Sequence, residues 1–83
     1  MTDGEIYEQL TEIIRDVLMN FDLVLSPDLT AKEVDGWNSY KMIEIIVAVE
    51  SQFGLKVKSK ELDELENVGD LVTLIRKASA AST

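Results

Sequence analysis

Residues 36–46 read Gly-Trp-Asn-Ser-Tyr-Lys-Met-Ile-Glu-Ile-Ile, GWNSYKMIEII. A turn residue and a tryptophan lead into two small polar residues, and then an apolar run begins. The run continues to Phe53 and stops at Gly54, a residue suited to the position just past a helix end. This spacing predicts a helix from about Ser39 to Phe53. Met42, Ile43, Ile45, Ile46, Val47, Ala48 and Val49 make it apolar on almost every side, and only Lys41 and Glu44 interrupt it before Glu50. A helix apolar all round is normally buried all round. A chain of 83 residues can hardly bury one completely. Part of this helix is therefore expected to stay open as a docking face. The competing expectation is a central core helix roofed by the preceding loop.

Working outward, a first helix starts near Thr2. Thr2-Asp3-Gly4-Glu5 has the form of a capping box. Ile6, Leu10, Ile13 and Val17 recur at helical spacing, with Ile14, Leu18 and Phe21 widening the stripe, and the helix should end near Asn20. Phe21 to Gly36 is then a loop of about sixteen residues, long for so small a domain. Its apolar residues Leu23, Leu25, Leu29 and Val34 should pin it to the core as an ordered return across the bundle. After Gly54, Leu55-Lys56-Val57 reads as a short extended piece. Ser59 can cap a short third helix through Leu65, and Asn67-Val68-Gly69-Asp70 offers a cap for a fourth. The fourth places Leu71, Leu74, Ile75 and Ala78 on one face, and residues 79–83 read as a frayed tail. The fold class is all-α: one domain over residues 1–83, a small four-helix bundle of three longer helices and one short helix.

Composition narrows the chemistry. The chain has no cysteine and no histidine. No disulfide or thiolate metal site is available, and the commonest general base and metal ligand are missing. The net charge of −8 disfavours nucleic acid and anionic membranes. It suits a soluble protein that meets basic patches on partner proteins. The N-terminus, MTDGEIYEQL, has no secretory character and no apolar run spans a bilayer, so the expected location is the cytoplasm.

Ser39 then admits four readings. As a nucleophile it lacks a base, because Lys41 two positions on faces another side of a helix. A calcium loop over Asp22–Glu33 fails, because Val24 takes a ligand position and Pro27 stands where the sharp turn wants glycine. As caps, Asn38 and Ser39 are both suitable, and neither has Glu or Gln three residues on. As a modification site, a serine in the first turn of a helix is exposed, with free N–H groups and a dipole that favour an attached phosphoryl group.

From about Ile6 to Ile75 the chain resembles an acyl carrier protein of the phosphopantetheine-binding family. The likeness rests on the long loop, the step GWNSY, the following MIEIIVAVESQFGLKV with its Glu-x-x-Phe-Gly ending, and the capped last helix NVGDLVTLI. The resemblance implies a 4'-phosphopantetheine arm attached to Ser39 from coenzyme A by a phosphopantetheinyl transferase. Cargo would ride as a thioester on the arm's thiol. The protein would be a free-standing, monomeric carrier and not an enzyme. Its partners would be acyl- or aminoacyl-loading and transfer enzymes with basic docking patches. The partner face implied is Asn38, Tyr40, Glu44, Val47 and Ser51; alternatively, Tyr40 and Val47 are core residues.

The departures from the family pattern are informative. Asn38 stands where the family usually has Asp, so a generic transferase should engage it less well. Tyr40 replaces the usual Leu. Helix two carries Glu44 and Glu50 against Lys41, a net charge of only −1, where fatty-acid carriers are strongly acidic. These features point to a specialised lipid or polyketide pathway. The alternatives are an aminoacyl or peptidyl carrier, or an unmodified helical interaction module in which Ser39 is only a cap.

Overall fold

The chain enters its first helix through the expected capping box. Thr2 Oγ1 accepts from the Glu5 N–H at 3.2 Å, and the Glu5 carboxylate accepts from the Thr2 N–H at 3.1 Å. These bonds from Thr2 hold the Glu5 carboxyl below its ordinary pKa. Their contribution is present above the unfolded carboxylate range and is lost as pH falls through the lowered folded value. In the computed structural model, which describes residues 2–81, the elements are α1 (Asp3–Leu18), α2 (Ser39–Phe53), α3 (Ser59–Asp63) and α4 (Val68–Ala81).

Ile6, Leu10 and Ile14 of α1 form one i,i+4 row and are completely buried. They meet Ile45, Ile46 and Val49 of α2 and Leu71, Val72 and Ile75 of α4 in one core. Gln52 Nε2 near the end of α2 donates to Gln9 Oε1 in α1, and Arg76 in α4 pairs with Asp3 at 2.8 Å. The start of α1 thus lies beside the middle of α4, and the middle of α1 beside the end of α2. The all-helical bundle matches the reading from periodicity.

The boundaries differ in places. α1 stops at Leu18 because Met19 turns left-handed (φ 54, ψ 38) and its N–H returns to the Arg15 carbonyl. Such a backbone costs a non-glycine residue about 1–2 kcal/mol. Met19 is 77% exposed and so gains little from packing. Met19→Gly is therefore expected to stabilise the fold by about 1 kcal/mol, read from the urea midpoint at unchanged slope.

The cap of α3 is Lys58 and not Ser59, which is the first helical residue. Glu61 decides this, since its Oε1 accepts from the Lys58 N–H at 3.2 Å. α3 ends at Asp63, earlier than Leu65, because the Glu64 and Leu65 N–H groups turn tightly back onto Glu61 and Leu62. The long loop contains a 3-10 turn over Ala31–Glu33 that helical periodicity did not anticipate. α4 runs to Ala81, into the stretch read as a frayed tail; Ser82 and Thr83 lie outside the described residues.

The long loop is anchored as its apolar residues suggested. Val34 is buried, while Leu23, Leu25 and Leu29 pack against the core. Its returning half is tied to the start of α4: the Val68 N–H donates to the Leu29 carbonyl and the Gly69 N–H to the Pro27 carbonyl. The approach is tight at Gly69, where a Cβ would stand 3.0 Å from the Pro27 oxygen, so a larger residue would push the loop back by a few tenths of an ångström. Gly54 ends α2 in the left-handed region (φ 67). Glu50 then accepts from the Val57 N–H at 2.9 Å, which fixes the extended piece beyond it.

Candidate functional site

The structure decides between the two possible caps of α2. Asn38 has extended backbone (φ −115, ψ −177), and its Oδ1 accepts from the Lys41 N–H at 2.9 Å. Its carbonyl accepts the first intrahelical bond, from Met42. Ser39 is consequently the first helical residue, with no capping duty. It is exposed, and among the described residues its hydroxyl has no hydrogen-bond partner. The Ser39 and Tyr40 N–H groups lie in the first turn, where no intrahelical acceptor exists.

Beside Ser39 lies a cavity of about 510 Å³. Leu29 of the loop, Trp37, Met42 of α2, Leu62 of α3, Leu65 between α3 and α4, and Leu71 of α4 supply its apolar walls. Ser39 is both exposed and part of the lining, so it stands where the cavity meets solvent. The volume falls within the range of about 300–1,000 Å³ usual for small-molecule sites. Trp37, only 8% exposed, donates from Nε1 to Met42 Sδ at 3.3 Å. This explains the tryptophan before the serine: it closes the core under the start of α2 and forms one side of the cavity.

The nearly all-apolar character of α2 resolves into two faces. Ile45, Ile46 and Val49 are buried, while Tyr40, Ile43 and Val47 are each more than half exposed. Tyr40 and Val47 are therefore not core residues. Ser51 is also exposed, and Glu44 is partly exposed and lies 3.5 Å from Lys41. An exposed pair of this kind contributes little to stability. Residues 40, 44, 47 and 51 thus follow one helical stripe of α2 that is exposed or partly exposed, with Asn38 exposed at its cap. Ile43 belongs with them and was not anticipated, although its spacing of three from Tyr40 and four from Val47 was a signal for it. Glu50 does not belong, since it is committed to the Val57 N–H. The cavity walls were also missed, because they come from separate segments that no single helical period relates.

Comparison with known proteins follows the same lines. A family model described as "Phosphopantetheine attachment site" matches residues 8–75. The chain is similar to an acyl carrier protein of Acidothermus cellulolyticus, 31% identical over 99% of this chain and 98% of that one. It is also similar to a meromycolate extension acyl carrier protein of Mycobacterium leprae, 32% identical over 93% of this chain and 67% of the other. Among solved structures it resembles a holo acyl carrier protein from Geobacter metallireducens. That match has a TM-score of 0.86 and 34% identity, and covers 92% of this chain and 87% of that one.

Proposed function

The chain belongs to the phosphopantetheine-binding acyl carrier proteins, and on that premise we propose that it carries acyl intermediates on an arm attached at Ser39 Oγ. The observation that carries this reading is the exposed, uncommitted Ser39 hydroxyl at the start of α2, opening onto a cavity. The bound group supplies a terminal thiol, which holds cargo as a thioester and which this cysteine-free chain cannot otherwise offer.

The chain's own residues do the rest. Asn38 holds the helix start, so Ser39 is free to react. The two first-turn N–H groups and the α2 dipole favour a phosphodiester at that oxygen. The apolar walls around Leu62 and Leu71 shelter an acyl chain from water. The carrier presents cargo and catalyses no step itself, and it acts in the cytoplasm beside its coenzyme A donor.

The partners proposed are a phosphopantetheinyl transferase and the enzymes that load and transfer the acyl group. They would meet the apolar strip of Tyr40, Ile43 and Val47 on α2. Charge there is nearly balanced by the Lys41–Glu44 pair, so apolar contact outweighs steering on this face. The acidic surplus of α1, with Glu8, Glu12 and Asp16 exposed, offers basic patches a second attraction. A weakly charged α2 supports a specialised pathway rather than general fatty-acid synthesis, and one relative is named for meromycolate extension.

The test is the intact mass after incubation with coenzyme A and a broad-specificity transferase. A gain of one phosphopantetheine is expected; no gain on folded protein with an active transferase would refute attachment by a generic route. Asn38→Asp keeps a side-chain oxygen for the Lys41 N–H and restores the acid usual in the family. It is expected to raise the modification rate several-fold at low salt, with the gain shrinking as salt is added.

A further inference from the structure

Trp37 is nine-tenths buried, yet its indole N–H is given to a thioether sulfur, Met42 Sδ at 3.3 Å. Buried indole N–H groups find a partner, and thioether sulfur is a weak acceptor. Any carbonyl oxygen reaching this donor would be the better partner. Both residues of this bond, Trp37 and Met42, line the cavity.

A second donor is independent of the first. Asn67 also lines the cavity and caps α4, with its Oδ1 accepting from the Asp70 N–H at 2.8 Å. That bond fixes which end of the amide is oxygen. Nδ2 is left over, and among the described residues nothing accepts from it. Two side-chain donors, one weakly satisfied and one unused, thus belong to residues that line this space. A saturated acyl chain would use neither.

We infer that Trp37 Nε1 and Asn67 Nδ2 are specificity-determining donors for oxygenated cargo, a β-ketoacyl group being held in preference to its saturated counterpart. The inference rests on the carrier reading and names the cargo class of the same cavity. No bond is made or broken: the ketone accepts from Trp37 in place of Met42 Sδ, and Asn67 serves the same oxygen or a neighbouring carbonyl.

The chain has one tryptophan, so its indole gives a single proton–nitrogen NMR signal. Isotope-labelled protein would be compared as the unmodified chain, with the bare arm, with a medium-length saturated acyl group, and with its β-keto counterpart. Each state would be verified by intact mass. The expected result is a downfield shift of the indole proton in the β-keto form alone, with the Asn67 side-chain amide signals moving with it. Equal indole positions in the saturated and β-keto forms would overturn the inference while leaving the carrier reading intact. A shift already complete with the bare arm would overturn it too, by giving the donor to the arm. Failure to load at all, seen in the mass, counts against the carrier reading and takes this inference with it.

Discussion

Ser39→Ala is expected to abolish attachment of the arm and to leave the stability of the bundle within about 0.5 kcal/mol of the parent. The first half follows from the loss of the only atom to which the phosphodiester is proposed to join. The second half follows from the cap. Were Ser39 the cap, its loss would cost about 0.5–2 kcal/mol. Asn38 holds that position, and Ser39 is an exposed first-turn residue with no bond to lose. Alanine there is also a good helix former. The companion variant Asn38→Ala should behave in the opposite way, losing about 1 kcal/mol while still accepting the arm. Intact mass and urea unfolding, measured on both variants, separate the two roles. A Ser39→Ala protein that still gains mass would end the assignment of the arm to this residue.

Ile45→Ala is expected to cost about 2–5 kcal/mol, the largest stability loss foreseen from one truncation on α2. Ile45 is completely buried against α1 and α4. A domain of 83 residues has in total about 4–12 kcal/mol, taking about 0.05–0.15 per residue, so much of it goes with this side chain. Val47, two positions on, is 58% exposed, as is Ile43. The double change Ile43→Ser with Val47→Ser should shift stability by no more than about 1 kcal/mol. It should nevertheless lower kcat/KM of the transferase at least about tenfold, equivalent to 1.4 kcal/mol of lost apolar contact. Unchanged transferase kinetics in the double variant would remove this strip from the docking surface. The pair of experiments assigns the two faces of one helix by two different readouts.

The helices were legible because their apolar residues repeat with helical period and because Thr2, Gly54 and Asn67 punctuate them. The threshold at Ser39 was legible for the same reason, since the apolar run begins there. Which of Asn38 and Ser39 caps α2 was not, because both side chains suit the role and they are adjacent. Only the backbone of Asn38 and its bond to Lys41 distinguish them. The cap of α3 was misread through the same ambiguity: Ser59 is a good cap in isolation, and the Glu61 bond to the Lys58 N–H moved the boundary by one residue. The open face of α2 was only half legible. Periodicity groups Tyr40, Ile43 and Val47 together, but nothing in an all-apolar helix says which group turns outward. The cavity was not legible at all. Leu29, Met42, Leu62 and Leu71 are far apart in sequence and become neighbours through packing alone.

The loop that forms part of the cavity wall is joined to α4 by the bonds from Val68 and Gly69 to the Leu29 and Pro27 carbonyls. Each such bond is worth about 0.5–1.5 kcal/mol net, and Leu29 adds only the partial burial of one side chain. The completely buried row of Ile6, Leu10 and Ile14 lies on α1 and takes no part in these bonds. Were an acyl chain held in this cavity, as proposed, its passage in or out would not have to wait for global unfolding. A local fluctuation of the loop, the least costly class of motion available to a folded domain, would be sufficient. The residence time of such cargo would then be uncoupled from the lifetime of the fold, so that a thermally robust protein could release its load quickly.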